Sequence, residues 1–124
     1  MTEPKSYFTA GELRCKCDNH ACSGGIMQPS FIAKLNHVRS TYYHKPITVS
    51  SGYRCLAHDK AVGGSGKNHP RGLAIDLIIE KGPDLMTFIQ ACFAVGIKRV
   101  VVYHNKPHVH IDDNPDLTPG IFVL

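Results

Sequence analysis

The chain has 124 residues, which is enough for one domain with its own hydrophobic core. Hydrophobic residues make up 43% and charged residues 19%, as in ordinary globular proteins, and no apolar run approaches the ~20 residues of a membrane span. The formal net charge of +4 comes from basic residues that are scattered singly, so we expect neither a nucleic-acid nor a membrane partner. The N-terminus lacks the basic-then-apolar layout of a signal peptide, so we expect synthesis in the cytoplasm.

The first half of the chain predicts one helix and one strand after an irregular start. Residues 1–28 are polar and rich in Cys and Gly, which predicts an irregular N-terminal cap. Pro29 suits a helix start, and the apolar residues that follow it share one helical face, which predicts a helix over 29–43. ITVS at 47–50 predicts a short strand after the break at Pro46.

The second half alternates apolar runs with turn signals. The Ile-rich run LAIDLII at 73–79 predicts a buried strand, and 83–95 predicts a second helix that ends before a glycine. RVVVY at 99–103 and HVHID at 108–112 predict two further strands. The tail, residues 114–124, contains two prolines and predicts no regular structure.

The predicted order is helix, strand, strand, helix, strand, strand. This order predicts a small α+β fold in a single domain, residues 1–124, with a mainly antiparallel sheet packed against two or more helices. We expect a monomer.

Asp76 is an acid in the middle of an apolar strand. Burying an unpaired carboxylate is costly, so Asp76 predicts a nearby cation, a metal or several hydrogen-bond donors. His69 precedes it in the loop that enters the strand, and Gly72 and Ala74 between them are small enough for the backbone to run close to whatever the two residues hold. The alternative is a purely structural hydrogen-bond acceptor.

The segment HVH places His108 and His110 on the same face of a strand, because residues two apart point the same way. An exposed sheet face also tolerates histidines, so this pattern alone leaves a structural role open. Together with His69 and Asp76, however, it offers imidazoles and a carboxylate, a familiar ligand set for a catalytic Zn²⁺ whose remaining position is left to water. Such a zinc-bound water is the usual nucleophile of zinc hydrolases.

Four blocks make the chain resemble a known family: SGYRC (51–55), HDKAVGG (58–64), HPRGLAID (69–76) and HVHID (108–112). In order and spacing they are similar to the zinc D-Ala-D-Ala carboxypeptidase family of peptidoglycan peptidases, whose fold and kind of zinc site the hedgehog signalling domain shares. The resemblance covers roughly residues 7–113.

The resemblance implies a zinc metallopeptidase that hydrolyses a bond in the peptidoglycan stem peptide, with D-Ala-D-Ala as the expected bond. An L-alanyl-D-glutamate endopeptidase of the phage endolysin type is the alternative within the enzyme class. A non-catalytic zinc-containing binding or phage structural module is the alternative of another class. The short length resembles phage and prophage members, which act on the bacterial cell wall.

Carried over by position, the resemblance implies that His69, Asp76 and His110 are the zinc ligands. It also implies that Arg54 meets the substrate carboxylate or the oxyanion, a role that suits a permanently charged planar donor. A surface salt bridge is the alternative role for Arg54.

The group that transfers protons is less defined. His108 matches the first histidine of the family's H-x-H pair and could accept a proton from the zinc-bound water or stabilise the transition state. A supporting or purely structural histidine is the alternative role. Other branches of the family carry an acid three residues before the last ligand, where this chain has Pro107, and this difference argues against the endopeptidase alternative. His104 is the reserve candidate.

The five cysteines are an odd number without a secretory signal, which favours free thiols or metal ligands over a complete disulfide framework. Cys15, Cys17, His20 and Cys22 lie within eight residues and could hold a second, structural Zn²⁺. A disulfide to Cys55 and plain reduced thiols are the alternatives. We expect Cys92, on the apolar face of the second helix, to pack in the core.

Overall fold

The computed structural model describes residues 6–17, 22, 24–64, 66 and 68–124. The strands in this part of the chain are β1 (Thr48–Ser51), β2 (Ala74–Ile78), β3 (Arg99–Val102), β4 (His108–Asp112) and β5 (Gly120–Val123). The helices are α1 (Ala10–Leu13), α2 (Pro29–His37), α3 (Leu56–Ala61) and α4 (Pro83–Ala94). A π-helical turn, Val38–Tyr42, continues α2, and a 3-10 turn, His69–Arg71, precedes β2.

The strands form one sheet in the order β1-β2-β4-β3-β5. The pairs β1–β2, β2–β4 and β3–β4 are antiparallel, whereas β3–β5 is parallel. The predicted α+β fold with a mainly antiparallel sheet is therefore confirmed. No helix in the described part of the chain combines the length and the hydropathy needed to cross a membrane.

One face of the sheet holds the core. Apolar side chains alternate along the central strands, and they are buried against α2, its π-helical extension and α4. This core includes Ile75, Leu77, Val109, Ile111, Phe31, Leu35, Val38, Phe88 and, as predicted, Cys92. Because strand residues alternate between faces, Asp76 and His110 lie on the opposite face, away from α2 and α4.

The N-terminal segment departs from the prediction of an irregular cap over 1–28, because it contains α1. Thr9 caps this helix: its Oγ1 accepts a hydrogen bond from the Glu12 backbone N–H at 3.2 Å, and Glu12 Oε1 accepts one from the Thr9 N–H at 2.9 Å. This reciprocal capping box was readable as T-A-G-E, but a single helical turn carries too little apolar periodicity to be detected by pattern. α3 is similarly short and was not predicted either.

The prediction of an irregular tail over 114–124 is wrong for its last residues. β5 follows Pro119 and pairs in parallel with β3 at the edge of the sheet. Its Phe122 ring lies under the guanidinium of Arg99, 4.6 Å from the ring centroid. Such a short strand is stabilised by its long-range partner rather than by its own pattern, so two prolines and three apolar residues did not reveal it.

Gly72 is needed for packing of the N-terminal segment rather than for closeness to a metal. Its φ is +70°, and a Cβ there would lie 2.6 Å from the backbone oxygen of Ile26. The Gln28 N–H donates to the Gly72 carbonyl at 2.9 Å, which fixes this close approach. The small residue therefore allows the segment before α2 to pack against the turn that carries His69.

We predict that Gly72→Ala lowers the free energy of unfolding by about 3 kcal/mol. Roughly 1–2 kcal/mol would come from the left-handed backbone and the rest from the clash with Ile26. Gly63→Ala is the matched control, since Gly63 has φ +87° but a Cβ added there would meet no atom within 4 Å. Urea unfolding of both variants measures the difference, and equal losses would show that the close approach is unimportant.

Candidate metal centre

Three strands bring polar side chains into one row across the sheet. Asp76 on β2 pairs directly with His110 on β4. On the other side, the register of β1 shifts between Val49 and Ser51, and this irregularity places Ser51 opposite Asp76. Bulges commonly re-aim side chains next to functional sites, and this one brings the end of β1 beside the acid.

His69, Asp76 and His110 converge at this point. Each can offer one ligand atom, and the three atoms all lie within 4.8 Å of one another. His110 Nδ1 is 2.9 Å from Asp76 Oδ1, and His69 Nε2 is 3.4 Å from Asp76 Oδ2. The two imidazole rings are separated by 5.5 Å between centroids. The sequence predicted this group, and the fold brings all three members together.

The orientation of His69 is determined by the backbone. The 3-10 turn at Pro70 buries the ring, and its Nδ1 lies 2.7 Å from the carbonyl oxygen of Gly52. A carbonyl oxygen only accepts hydrogen bonds, so Nδ1 carries the proton. It is therefore Nε2 that faces Asp76, and this is the ring nitrogen that can bind a metal ion in place of a proton.

His110 is held between two carboxylates. Its Nε2 lies 2.7 Å from Oδ2 of Asp112, which is fully buried and also accepts a hydrogen bond from Arg99 Nε at 3.0 Å. This leaves Nδ1 toward Asp76. A histidine whose second nitrogen donates to a carboxylate is a common arrangement at metal sites. Asp112 was not predicted from the sequence, although the same two-residue spacing that joins His108 to His110 continues to it.

The negative charge of Asp76 and the positive charge of His110 stabilise each other. Burial raises the pKa of the Asp76 carboxyl, but hydrogen bonds from His110 and His69 outweigh burial and hold it well below its ordinary range. Burial lowers the pKa of His110, but the hydrogen bonds to Asp112 and Asp76 outweigh it and raise that pKa to about 9. The pocket thus favours positive charge at Nδ1, and a metal ion can take the place of the proton there.

Arg54 approaches the same acid from the loop after β1. Its Nη2 donates to Asp76 Oδ2 at 2.7 Å, its Nη1 to Asp59 Oδ1 at 3.0 Å, and its Nε to Ser51 Oγ at 2.9 Å. Asp59 is buried on α3 and also accepts a hydrogen bond from the Gly66 N–H at 2.7 Å. The guanidinium is therefore fixed by buried partners, unlike the surface salt bridge considered from sequence. Asp59 was missed because it lies on α3, a short helix that the sequence pattern did not predict.

The group opens into a cleft of about 420 Å³. Besides Arg54 and the three converging residues, Tyr103 and Lys106 line it, and neither was singled out from the sequence. The ammonium of Lys106 lies 4.5 Å from the centroid of the Tyr103 ring. Burial and the negative charge of Asp76 raise the pKa of the Tyr103 phenol, so its hydroxyl remains a donor at neutral pH.

His108 and His104 occupy different positions. His108 is two residues from His110 on β4, and its Nδ1 is shielded from solvent with no hydrogen-bond partner among the described residues. It is not among the residues that line the cleft. His104 lies at the other end of the β3–β4 turn, where its Nδ1 donates to the Leu124 carbonyl at 2.8 Å. The fold thus brings neither histidine into the group around Asp76.

The N-terminal cysteines form a second group. Cys15, Cys17 and Cys22 converge with Cys55, and their sulfur atoms all lie within 4.8 Å of one another. His20, which the sequence predicted as a fourth ligand beside the first three, lies outside the described residues. The five cysteines, all of them described, form no disulfide.

Two imidazole nitrogens and one carboxylate oxygen, converging at an open cleft, fit a Zn²⁺ site that keeps a position for substrate. A search of curated proteins found no match to this chain. The profile of the Peptidase M15 family, by contrast, matches residues 6–112, which include both groups of candidate metal ligands. The chain therefore belongs to the Peptidase M15 family of zinc metallopeptidases.

Proposed function

We propose that the chain hydrolyses a bond in the peptidoglycan stem peptide, with Zn²⁺ held by His69 Nε2, a carboxylate oxygen of Asp76 and His110 Nδ1. The observation that carries the proposal is the convergence of these three atoms at the floor of an open cleft. A structural zinc site is usually closed by four protein ligands, so three ligands beside a cleft favour a catalytic site. When bound, the metal would supply a Lewis acid that polarises a carbonyl and acidifies water.

Arg54 supplies fixed positive charge beside the reacting carbonyl. Three of its five N–H groups are directed at Asp76, Asp59 and Ser51, so the guanidinium cannot swing away when charge develops. The remaining N–H groups can stabilise an oxyanion or bind a terminal carboxylate. Its hydrogen bond to Asp76 also orients that carboxylate toward the two histidines.

A histidine is the better candidate for proton transfer, because the cleft offers no spare acid among its described residues. Its carboxylates are Asp76, which we assign to the metal, and Asp59, which is buried under Arg54. Pro107, at the position where other branches of the family carry an acid, accepts a backbone hydrogen bond from Ile79. We assign this step to His108 because HVH resembles the family's H-x-H pair. His108 does not line the cleft itself, but it lies two residues from His110 on the same strand face, and its shielded Nδ1 has no hydrogen-bond partner among the described residues.

The expected bond is D-Ala-D-Ala. The residue released from this bond, the terminal D-Ala, carries a free carboxylate. The cleft presents two cations that can bind it, Arg54 and Lys106, and the Lys106 ammonium also lies over the Tyr103 ring. L-alanyl-D-glutamate endopeptidase activity is the alternative, and it places the D-glutamate side chain near the same cations. Either activity acts on the bacterial cell wall, in the setting of a phage or prophage endolysin.

Our first prediction for this site concerns the reaction itself. The zinc-loaded protein should release D-Ala from a defined pentapeptide muropeptide, and a chelator should abolish the release until Zn²⁺ is restored, because the metal supplies the electrophile. Mass spectrometry of the products identifies the bond. Cleavage between L-Ala and D-Glu would select the endopeptidase, and no cleavage on several wall types would favour a non-catalytic module.

The second prediction concerns Asp112. Asp112→Asn should weaken zinc binding at the centre roughly 10–100-fold, because His110 would lose the carboxylate that orients it and raises its basicity. Competition with a chromophoric chelator measures the affinity. Asp113→Asn is the matched control, since the neighbouring Asp113 pairs with Lys34 and not with His110. Equal affinities for the two variants would contradict the role of Asp112.

The third prediction separates the two histidines outside the metal group. His108→Ala should lower kcat about 10²-fold while zinc content stays unchanged, because only proton transfer is lost. His104→Ala should change kcat little, since the His104 ring is hydrogen-bonded to the Leu124 carbonyl and not to the group around Asp76. Muropeptide turnover of both variants decides between them, and the reverse pattern would assign the proton transfer to His104.

A further inference from the structure

The cysteine group is a second candidate ligand set, separate from the centre described above. Its four sulfur atoms come from two distant parts of the chain: Cys15, Cys17 and Cys22 from the N-terminal segment, and Cys55 from the loop that follows β1. All four lie within 4.8 Å of one another. The fifth cysteine, Cys92, is buried in the core on α4 and takes no part.

Backbone hydrogen bonds bring the N-terminal cysteines together. The Cys15 N–H donates to the Gly24 carbonyl at 2.8 Å, which draws together the two ends of the segment that contains Cys17 and Cys22. The Cys15 sulfur in turn accepts a hydrogen bond from the Cys55 N–H at 3.3 Å. A backbone donor to sulfur stabilises a thiolate, as backbone N–H groups do for other anions.

Packing against Tyr53 aligns the two parts of the group. Gly25 has φ +72°, and a Cβ there would fall 2.0 Å from the Tyr53 ring, so only glycine permits this contact. The Tyr53 N–H donates to the Leu13 carbonyl at 2.8 Å. The N-terminal segment is thereby held against the loop that carries Cys55, and the four sulfurs meet as a result of the fold.

The spacing of the sulfur atoms suits a tetrahedral metal. Zn–S bonds of about 2.3 Å place sulfurs about 3.8 Å apart, so sulfurs that all lie within 4.8 Å of one another would have to approach by at most about 1 Å. A disulfide joins two sulfurs and does not require four to converge. Four thiolates and Zn²⁺ leave a net charge of −2 (four times −1, plus 2), and Arg14 and Lys16 flank Cys15 with positive charge.

We propose that Cys15, Cys17, Cys22 and Cys55 hold a structural Zn²⁺, with Cys55 rather than His20 as the fourth ligand. Four protein ligands leave no open position, so this ion would stabilise the fold and take no part in hydrolysis. It would link the N-terminal segment to residues 52–55, which also contain Arg54 and the Gly52 carbonyl that orients His69. This inference does not depend on the proposed activity.

Zinc content measured by elemental analysis tests the proposal directly. The wild-type protein, purified under reducing conditions, should contain about two equivalents of zinc per chain, one for each site. Cys17→Ser and Cys55→Ser should contain about one, and so should His69→Ala, which spares the cysteines. The matched controls Cys92→Ala and His20→Ala should keep the wild-type content.

A second measurement applies if the cysteine variants fail to fold. X-ray absorption of His69→Ala should show a zinc ion with four sulfur neighbours at about 2.3 Å. Zinc that disappears completely in His69→Ala would overturn the proposal, as would disulfides among these cysteines in anaerobically purified protein. Loss of the second zinc in His20→Ala would overturn the assignment of Cys55. None of these outcomes depends on whether the protein cleaves a muropeptide, so failure of the proposed function would be recognised separately.

Discussion

The buried carboxylate of Asp76 is the constraint on which the site depends. The negative charge of an acid on an otherwise apolar strand must be balanced by nearby donors or positive charges. For Asp76 these partners come from separate elements: Arg54 after β1, His69 before β2 and His110 on β4. Each partner places a positive charge or a donor within 3.4 Å of one of its two oxygens. The arrangement of the loops around the sheet therefore follows from the need to satisfy this one group.

Each of those partners is held by a second group, and these second groups fix the orientation of the side chains around Asp76. The Gly52 carbonyl orients His69, Asp112 orients His110, and Asp59 holds Arg54. Asp59 and Asp112 are both almost fully buried, which an acid tolerates only when its oxygens are bonded. A centre supported in this way is oriented before a ligand arrives, and less free energy is then lost to ordering on binding. The four-cysteine group ends at Cys55, beside Arg54, so it would reinforce the same loop.

Secondary structure could be predicted where the apolar pattern of the sequence was distinct. α2, β2, α4 and β4 carry apolar residues at helical or strand spacing, and their predicted ranges differ from the observed ones mainly at the ends. The elements α1, α3 and β5 were missed because their few residues show neither a helical nor an alternating apolar pattern that separates them from a loop. Among the site residues, His69, Asp76, His110 and Arg54 stood out by pattern and resemblance, whereas Tyr103 and Lys106 did not.

The sequence alone determined the chemistry that this protein carries: an acid within an apolar strand, histidines two apart on another strand, and cysteines crowded near the N-terminus. Those features are local, so spacing along the chain is enough to read them. The tertiary structure decided which of them meet. Cross-strand register pairs Asp76 with His110, and packing of the N-terminal segment brings Cys55 to the other cysteines. Register and packing depend on contacts between residues far apart in the chain, and no local spacing encodes them.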